Sequence, residues 1–436
     1  MSRIDEGERW LLARPSRRVS LIAALCAGLT AATASAPADS TQDESASPAV
    51  PSAPEPEDEE IAEPPLDVPS RLKAPPIATA RPLPKDSDVL ARARRDRAGR
   101  LVIGEGASAR ALTVMAELQH KLTVILDSYE TPYAAVVAMD PNSGRVLAMA
   151  EHSSADPSMR GLPVKAIFPA ASIFKLVTAT ALLDAGLKPE DSECSHGGKR
   201  RLDARHLQDS ERDRRCYTLA AALGHSANAV FAKLTAKHLT REELLSWANR
   251  FGFNRRIDFP VPTDISLAAV PAEPLELAFT GAGFGDVFLS PLHGAVLASV
   301  AATGGMWRDP VLFEDSPEPS PVRVMSPEQA ALLTEMMEET VTTGTARRIF
   351  RQRGFRVPGA VGKTGSLADK QPFRDYSWFV GFAPKERPEV VVSAVVVNEP
   401  RWRIRATWLG REALRISLAA RPAPERDDGS AQGASR

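Results

Sequence analysis

Residues 133–150 read YAAVVAMDPNSGRVLAMA, two apolar runs on either side of Asp140-Pro141-Asn142-Ser143-Gly144. Short apolar runs bounded by a Pro/Asn/Gly cluster read as strands, and this close spacing joins them as a β-hairpin with Gly144 in the turn. Three comparable runs lie far downstream: AVGKTGSLA from 360, YSWFVGFAP from 376 and EVVVSAVVVNE from 389, separated by short polar turns. Helical spacing fills the interval between the two sets of strands, and ATWLGREALRISLAA at 406–420 closes as a helix. Ahead of the hairpin, LTVMAELQHKLTVIL at 112–126 carries Leu112, Met115, Leu118, Leu122 and Ile125 at helical spacing. Two strands, a long helical middle, three strands and a helix predict an α+β fold. The strands from both ends join one antiparallel five-stranded sheet, flanked by helices, with a helical subdomain from the middle.

The rest of the chain is organised around that unit. Net charge is −1 over 436 residues, which provides no electrostatic footprint for a nucleic-acid partner. Arg14, Arg17 and Arg18 precede the apolar run VSLIAALCAGLTAATASA at 19–36, which ends in Ala34-Ser35-Ala36. Basic start, apolar run and small-x-small end describe a signal peptide; an uncleaved membrane anchor is the alternative reading of 1–36. Either reading exports the chain, to the periplasm or to the outer face of the inner membrane. Residues 37–67 hold ten Asp or Glu and no Lys or Arg, and 37–99 as a whole reads as a disordered Pro/Ala/Glu-rich linker. The folded domain is expected over 100–420, followed by a loose polar tail at 421–436. No internal repeat is evident.

Two cysteines remain beyond the export segment, Cys194 and Cys216. In an oxidising compartment they form a disulfide. With His196 and His206 nearby, zinc ligation is the competing reading, although the spacing matches no tight structural zinc pattern.

The stretch PAASIFKLVTATALLDAG at 169–186 is almost wholly apolar, yet it contains Lys175, three residues after Ser172. That spacing stacks the two side chains on one helical face. A serine hydroxyl needs a base within hydrogen-bond reach to act as a nucleophile. A lysine is such a base when burial lowers its pKa, which explains a lysine in so apolar a helix. Backbone N–H groups at the helix start favour developing negative charge. Ser-x-x-Lys alone arises by chance in many amphipathic helices. Here Ser226-Ala227-Asn228 follows in a break between two helical runs, and Lys363-Thr364-Gly365-Ser366 follows on a strand. Each has a bland reading singly: Asn228 as the cap of a helix starting at Ala229, Lys363 as an ordinary edge-strand lysine.

In order and spacing these three groups match the set Ser-x-x-Lys, Ser-x-Asn and Lys-Thr-Gly. With them the chain resembles the penicillin-binding proteins, the D,D-transpeptidases of peptidoglycan synthesis. The first hairpin, GAGFGDVFLSPLHGAVLASVAATGG at 281–305, MEETVTTGTARRIF at 337–350 and the Trp378 strand are similar as well, so the resemblance runs over about 110–418. It implies that Ser172 attacks the penultimate D-Ala carbonyl of a stem peptide and that Lys175 takes its proton. Ser226 would relay a proton to the departing D-Ala amine, and Asn228 would hold the substrate peptide group. Lys363 would set the electrostatics around Ser226 and attract the terminal carboxylate, with Thr364 and Ser366 as carboxylate contacts. Gly365 would let the substrate backbone approach the edge strand. The N–H groups of Ser172 and Ser366 would form the oxyanion hole. No cofactor or metal enters this chemistry. Stem peptides, β-lactams as covalent inhibitors and a cell-wall synthesis complex are the implied partners. The chain departs from the usual pattern in Pro-Ala-Ala-Ser before the helix and in Ser366 after Gly365. It reads as a stand-alone catalytic module on a tether.

Related chemistries share parts of this set. A D,D-carboxypeptidase differs only in using water as acceptor. A class D β-lactamase has Ser-x-Val where this chain has Ser226-Ala227-Asn228. A class A β-lactamase needs a deacylating glutamate, of which Glu273 in EPLEL is a partial echo. A penicillin sensor would be acylated once and signal by a change of shape.

Overall fold

The computed structural model describes residues 80–198 and 202–421. The expected export segment, most of the linker and the tail beyond Arg421 lie outside the described residues. In chain order, α1 spans Ala116–Tyr129, β1 Tyr133–Met139 and β2 Val146–His152. The helical middle opens with α2 (Lys175–Asp184) and a short strand pair, β3 (Ser192–Ser195) and β4 (Arg215–Thr218). There follow α3 (Leu219–Gly224), α4 (Asn228–His238), α5 (Pro274–Gly281), α6 (Pro291–Ala302) and α7 (Pro327–Thr342). The domain ends with β5 (Val361–Lys370), β6 (Phe373–Ala383), β7 (Val390–Asn398) and α8 (Ala406–Ala420).

The main sheet has five strands in the order β5-β6-β7-β1-β2, antiparallel at every step, as the strand pattern predicts. Its closure is the pairing of β7 with β1, from Val391↔Met139 to Val397↔Tyr133, which brings the two ends of the domain together. Side chains alternate across a strand. Val391, Val395 and Val397 of β7 therefore enter one core with Leu292, Ala295 and Val296 of α6. Val390, Val392, Ala394 and Val396 enter the other core with Leu118 and Leu122 of α1 and Leu409 and Leu414 of α8. A strand covered on both faces is predominantly apolar, and β7 is buried at every position with Ser393 and Asn398 as its polar residues. Helix α6 is buried from Pro291 to Ala301 and correspondingly carries almost no polar surface. These layers leave β5 as an edge of the sheet, packed against α7 and the turn at Ala171–Ile173 that leads into α2.

Two boundaries differ from those read in the sequence. The folded region begins before residue 100: Leu83 is buried, its N–H donates to Arg160 O at 2.9 Å, and Arg94–Arg95 pair with Leu101–Ile103 in a small sheet. Arginine-rich composition concealed this, because Leu83 is buried while Val89, Leu90 and Ala93 are only partly so and the arginines are exposed. Helix α1 starts at Ala116 rather than 112, since Leu112 bridges to Phe313 and Met115 occupies the N-cap. Its buried stripe is Leu118, Leu122 and Leu126.

Candidate active site

Phe168–Pro169 pairs with Phe288–Leu289, and the chain then turns sharply through a 3₁₀ turn at Ala171–Ile173 into α2. Ala171 holds φ 49°, a left-handed conformation that costs a non-glycine residue on the order of 1–3 kcal/mol. The surroundings enforce it. Ala170 N–H donates to Val287 O, the Trp378 indole N–H donates to Pro169 O, each at 2.9 Å, and Gly283 packs against Ala171. A Cβ on Gly283 would lie 2.5 Å from Ala171 O, and Gly283 itself has φ +85°, so this position requires glycine. The turn presents Ser172, half-buried, at the mouth of an open cleft.

Lys175 is fully buried, and its Nζ lies 2.9 Å from Ser172 Oγ and 2.9 Å from Asn228 Oδ1. A third hydrogen bond runs from Nζ to Ala282 O. Burial pushes the Lys175 pKa well below the ordinary lysine range, and the nearby charge of Lys363 pushes it in the same direction. The Phe231 ring centroid is 5.5 Å from Nζ and helps close the amine from solvent.

Ser226 sits between α3 and α4 with φ 54°, a second left-handed non-glycine residue beside the cleft. Its N–H donates to Leu223 O and the next N–H, of Ala227, donates to Ala222 O, which ends α3 and reverses the chain. Ala227 is the N-cap of α4, and Asn228 is the first residue of the helix. The Asn228 side chain therefore does not cap the helix. It crosses to Lys175.

Lys363 on β5 is also fully buried, with its pKa pulled down by desolvation to about 7. Its Nζ donates to Thr364 O at 2.8 Å. The Thr364 and Thr345 hydroxyls lie 2.6 Å apart. Ser366 is exposed and lines the same cleft, of ≈ 350 Å³, as Ser172, Ser226 and Asn228. At Gly365 the structure adds a packing requirement to the reading made from the sequence. A Cβ there would lie 3.2 Å from Ile173 Cγ1 and 3.3 Å from Ala170 O, so the missing side chain seats the strand against the Ser172 turn.

All three motifs thus converge on one cleft. Several partners had no usable signal in the sequence. The Ala282 carbonyl is a backbone group that any residue supplies, Thr345 is one hydroxyl among several in its segment, and Gly283 is recognisable only by what it touches. Glu273 is excluded from a deacylating role by position: it is the N-cap of α5, accepting from Glu276 N–H at 2.8 Å, and does not line the cleft. Cys194 and Cys216 are bonded to each other across the β3–β4 pair, which removes both sulfurs from the zinc reading.

The comparisons with known proteins agree with this geometry. The penicillin binding protein transpeptidase domain matches residues 134–408. Stage V sporulation protein D of Bacillus subtilis is 28% identical over 327 residues, 67% of this chain and 50% of that protein. Peptidoglycan D,D-transpeptidase PbpA of Mycobacterium tuberculosis is 27% identical over 344 residues, 66% of this chain and 67% of that protein. The chain therefore spans half to two thirds of the length of these relatives. Among solved structures, penicillin binding protein 3 from Mycobacterium tuberculosis, complexed with aztreonam, shares the fold with a TM-score of 0.61 at 20% identity, covering 73% of this chain and 80% of that one. The D,D-transpeptidase domain from Eggerthella lenta gives 0.59 at 22% identity, covering 75% and 94%. Motif order, fold and a match over well over half of the chain together mean that the protein belongs to the penicillin-binding protein transpeptidase domain family.

Proposed function

We propose that the protein is a serine D,D-transpeptidase acting on D-Ala-D-Ala stem peptides of peptidoglycan through an acyl-enzyme on Ser172. The observation that carries this reading is the buried Lys175 amine, 2.9 Å from the Ser172 hydroxyl and far below its ordinary pKa. As a neutral amine it donates to Asn228 and Ala282 and turns its lone pair to Ser172. The serine hydroxyl then gives its proton to Nζ as Oγ attacks the penultimate D-Ala carbonyl. The N–H groups of Ser172 and Ser366 hold the oxyanion. Collapse of the intermediate breaks the peptide bond, and the proton returns through Ser226 to the departing D-Ala amine. Lys363 and the Thr364 and Ser366 hydroxyls hold the terminal carboxylate. An acceptor amine then takes the acyl group and frees Ser172. Export by residues 1–36 places the reaction outside the cytoplasm, where a cell-wall synthesis complex would supply the acceptor.

A β-lactam enters the first step but keeps its leaving group tethered in the site. Hydrolysis of its ester needs a base that activates water. Glu273 is engaged as a helix cap, and Asn228 stands where a class D β-lactamase has valine. The expected behaviour is covalent labelling by a fluorescent penicillin and a single stoichiometric burst with nitrocefin. Ser172→Ala is expected to abolish labelling. Stem pentapeptide with an acceptor amine is expected to release D-Ala and form the cross-linked product by mass spectrometry. Labelling that survives Ser172→Ala, or sustained nitrocefin turnover, would overturn the assignment.

A further inference from the structure

One wall of the cleft is the β5 edge with Ser366. The other is the β3–β4 hairpin, which contributes Ser195, Arg215 and Tyr217. Ser195 faces Arg215 in the strand register, and Arg215 and Tyr217 share one face of β4 by the two-residue period of a strand. Cys216 points to the opposite face and is bonded to Cys194 there. The hairpin is fastened to α4 as well. Lys233, buried in that helix, lies 2.8 Å from Asp213, 2.9 Å from Asp209 and 3.2 Å from Glu193, and donates to Cys194 O at 2.9 Å. This is the helix whose first residue, Asn228, holds Lys175. Arg215 is thus mounted on a hairpin braced by a disulfide and the Lys233 ion cluster, in the same cleft as the nucleophile.

The Arg215 side chain is exposed and has no ion-pair or hydrogen-bond partner among the described residues, whereas Asp213, two residues away, is fully engaged. None of the described residues lining the cleft is acidic. A peptide extended along β5 sends alternate side chains toward the opposite wall. A guanidinium on that wall offers a planar fork of donors that matches a carboxylate. We infer that Arg215 is a specificity residue that selects donor peptides carrying an anionic group on the residue before D-Ala-D-Ala. The inference rests on the reading of this cleft as the donor-peptide site and adds a chemical class to it.

The test uses two synthetic peptides ending in D-Ala-D-Ala. They are identical except that the side chain of the preceding residue ends in a carboxylate in one and in a primary amide in the other. Affinity is read by calorimetry on the full chain carrying Ser172→Ala, so that binding is measured whether or not acyl transfer occurs. The acid peptide is expected to bind about tenfold more tightly than the amide. Adding Arg215→Ala should bring the ratio close to one, Arg215→Lys should retain part of it, and Arg215→Glu should reverse it. Because the readout is a ratio within each variant, a general loss of affinity does not imitate the effect. Equal affinity for the two peptides, or a preference that survives Arg215→Ala, would overturn the inference. Failure of penicillin labelling in the parent protein would instead strike the transpeptidase reading.

Discussion

Lys175 and Lys363 are both fully buried, and both are shifted down by desolvation, so the site holds two amines at the limit of where an ammonium is stable. Their roles separate by contacts. Lys175 touches the nucleophile and Asn228, whereas Lys363 is turned to the Thr364 carbonyl on the edge strand. A pKa of about 7 for Lys363, against 10.5 ordinarily, has a consequence for stability. Between these values the unfolded chain binds more protons than the folded one, so this residue makes stability rise with pH across that window. Below about pH 7 the folded protein carries the full cost of a buried charge. Lys363→Met is therefore expected to be more stable than the parent by the largest margin near and below pH 7, with the margin shrinking toward pH 10.5. Urea unfolding of both proteins across that range checks this; a margin that grows with pH would show that Lys363 is not the titrating group.

At the scale of elements, the site is a junction between the β5 edge, the Ser172 turn and the break between α3 and α4. Gly365 sets how closely the first two approach, being paired with Trp378 and crowded by Ile173 and Ala170. Gly365→Val suits a strand by propensity yet forces the Ser172 turn outward. A displacement near 1 Å at a reacting group costs about a hundredfold in rate. Penicillin acylation of Gly365→Val is expected to fall by about that factor while the main sheet still folds, as measured by stopped-flow labelling and circular dichroism. The β3–β4 hairpin has its own fastening. The Cys194–Cys216 bond spans 22 residues, and closing a loop of that size stabilises the folded state by about 3 kcal/mol. Replacing both cysteines by serine is expected to lower unfolding stability by about that amount in denaturant titrations. An unchanged midpoint would mean that the Lys233 ion cluster holds the hairpin unaided.

At the scale of the molecule, the domain extends back to the segment around Leu83, which is buried and packed in the same core as Met159, Leu162 and Val164. Leu83→Ala is expected to cost roughly 2 kcal/mol of stability, at the low end for a buried leucine because the segment lies at the rim of the core. Thermal unfolding would detect that loss, whereas a surface tether would show no change. Among the described residues no helix is long and apolar enough to cross a membrane. The apolar run at 19–36 lies outside the described part of the chain.

The residues themselves determined the strand pattern, the α+β class and the three motifs, because binary patterning sets secondary structure and because Ser172–Lys175, Ser226–Asn228 and Lys363–Ser366 are each local in sequence. A helical turn already brings Lys175 to Ser172. What the sequence left open was everything that depends on segments meeting across long separations. Only the fold decided that Asn228 serves Lys175 instead of capping its helix, that Ala282 lends a carbonyl, and that Gly365 is needed against Ile173. The same holds for the choice of disulfide over zinc at Cys194 and Cys216 and for the first folded residues ahead of 100. The physical reason is common to all of these: backbone carbonyls, missing side chains and buried ion clusters carry no residue-type signature, and their effect exists only once tertiary packing has removed water from around them.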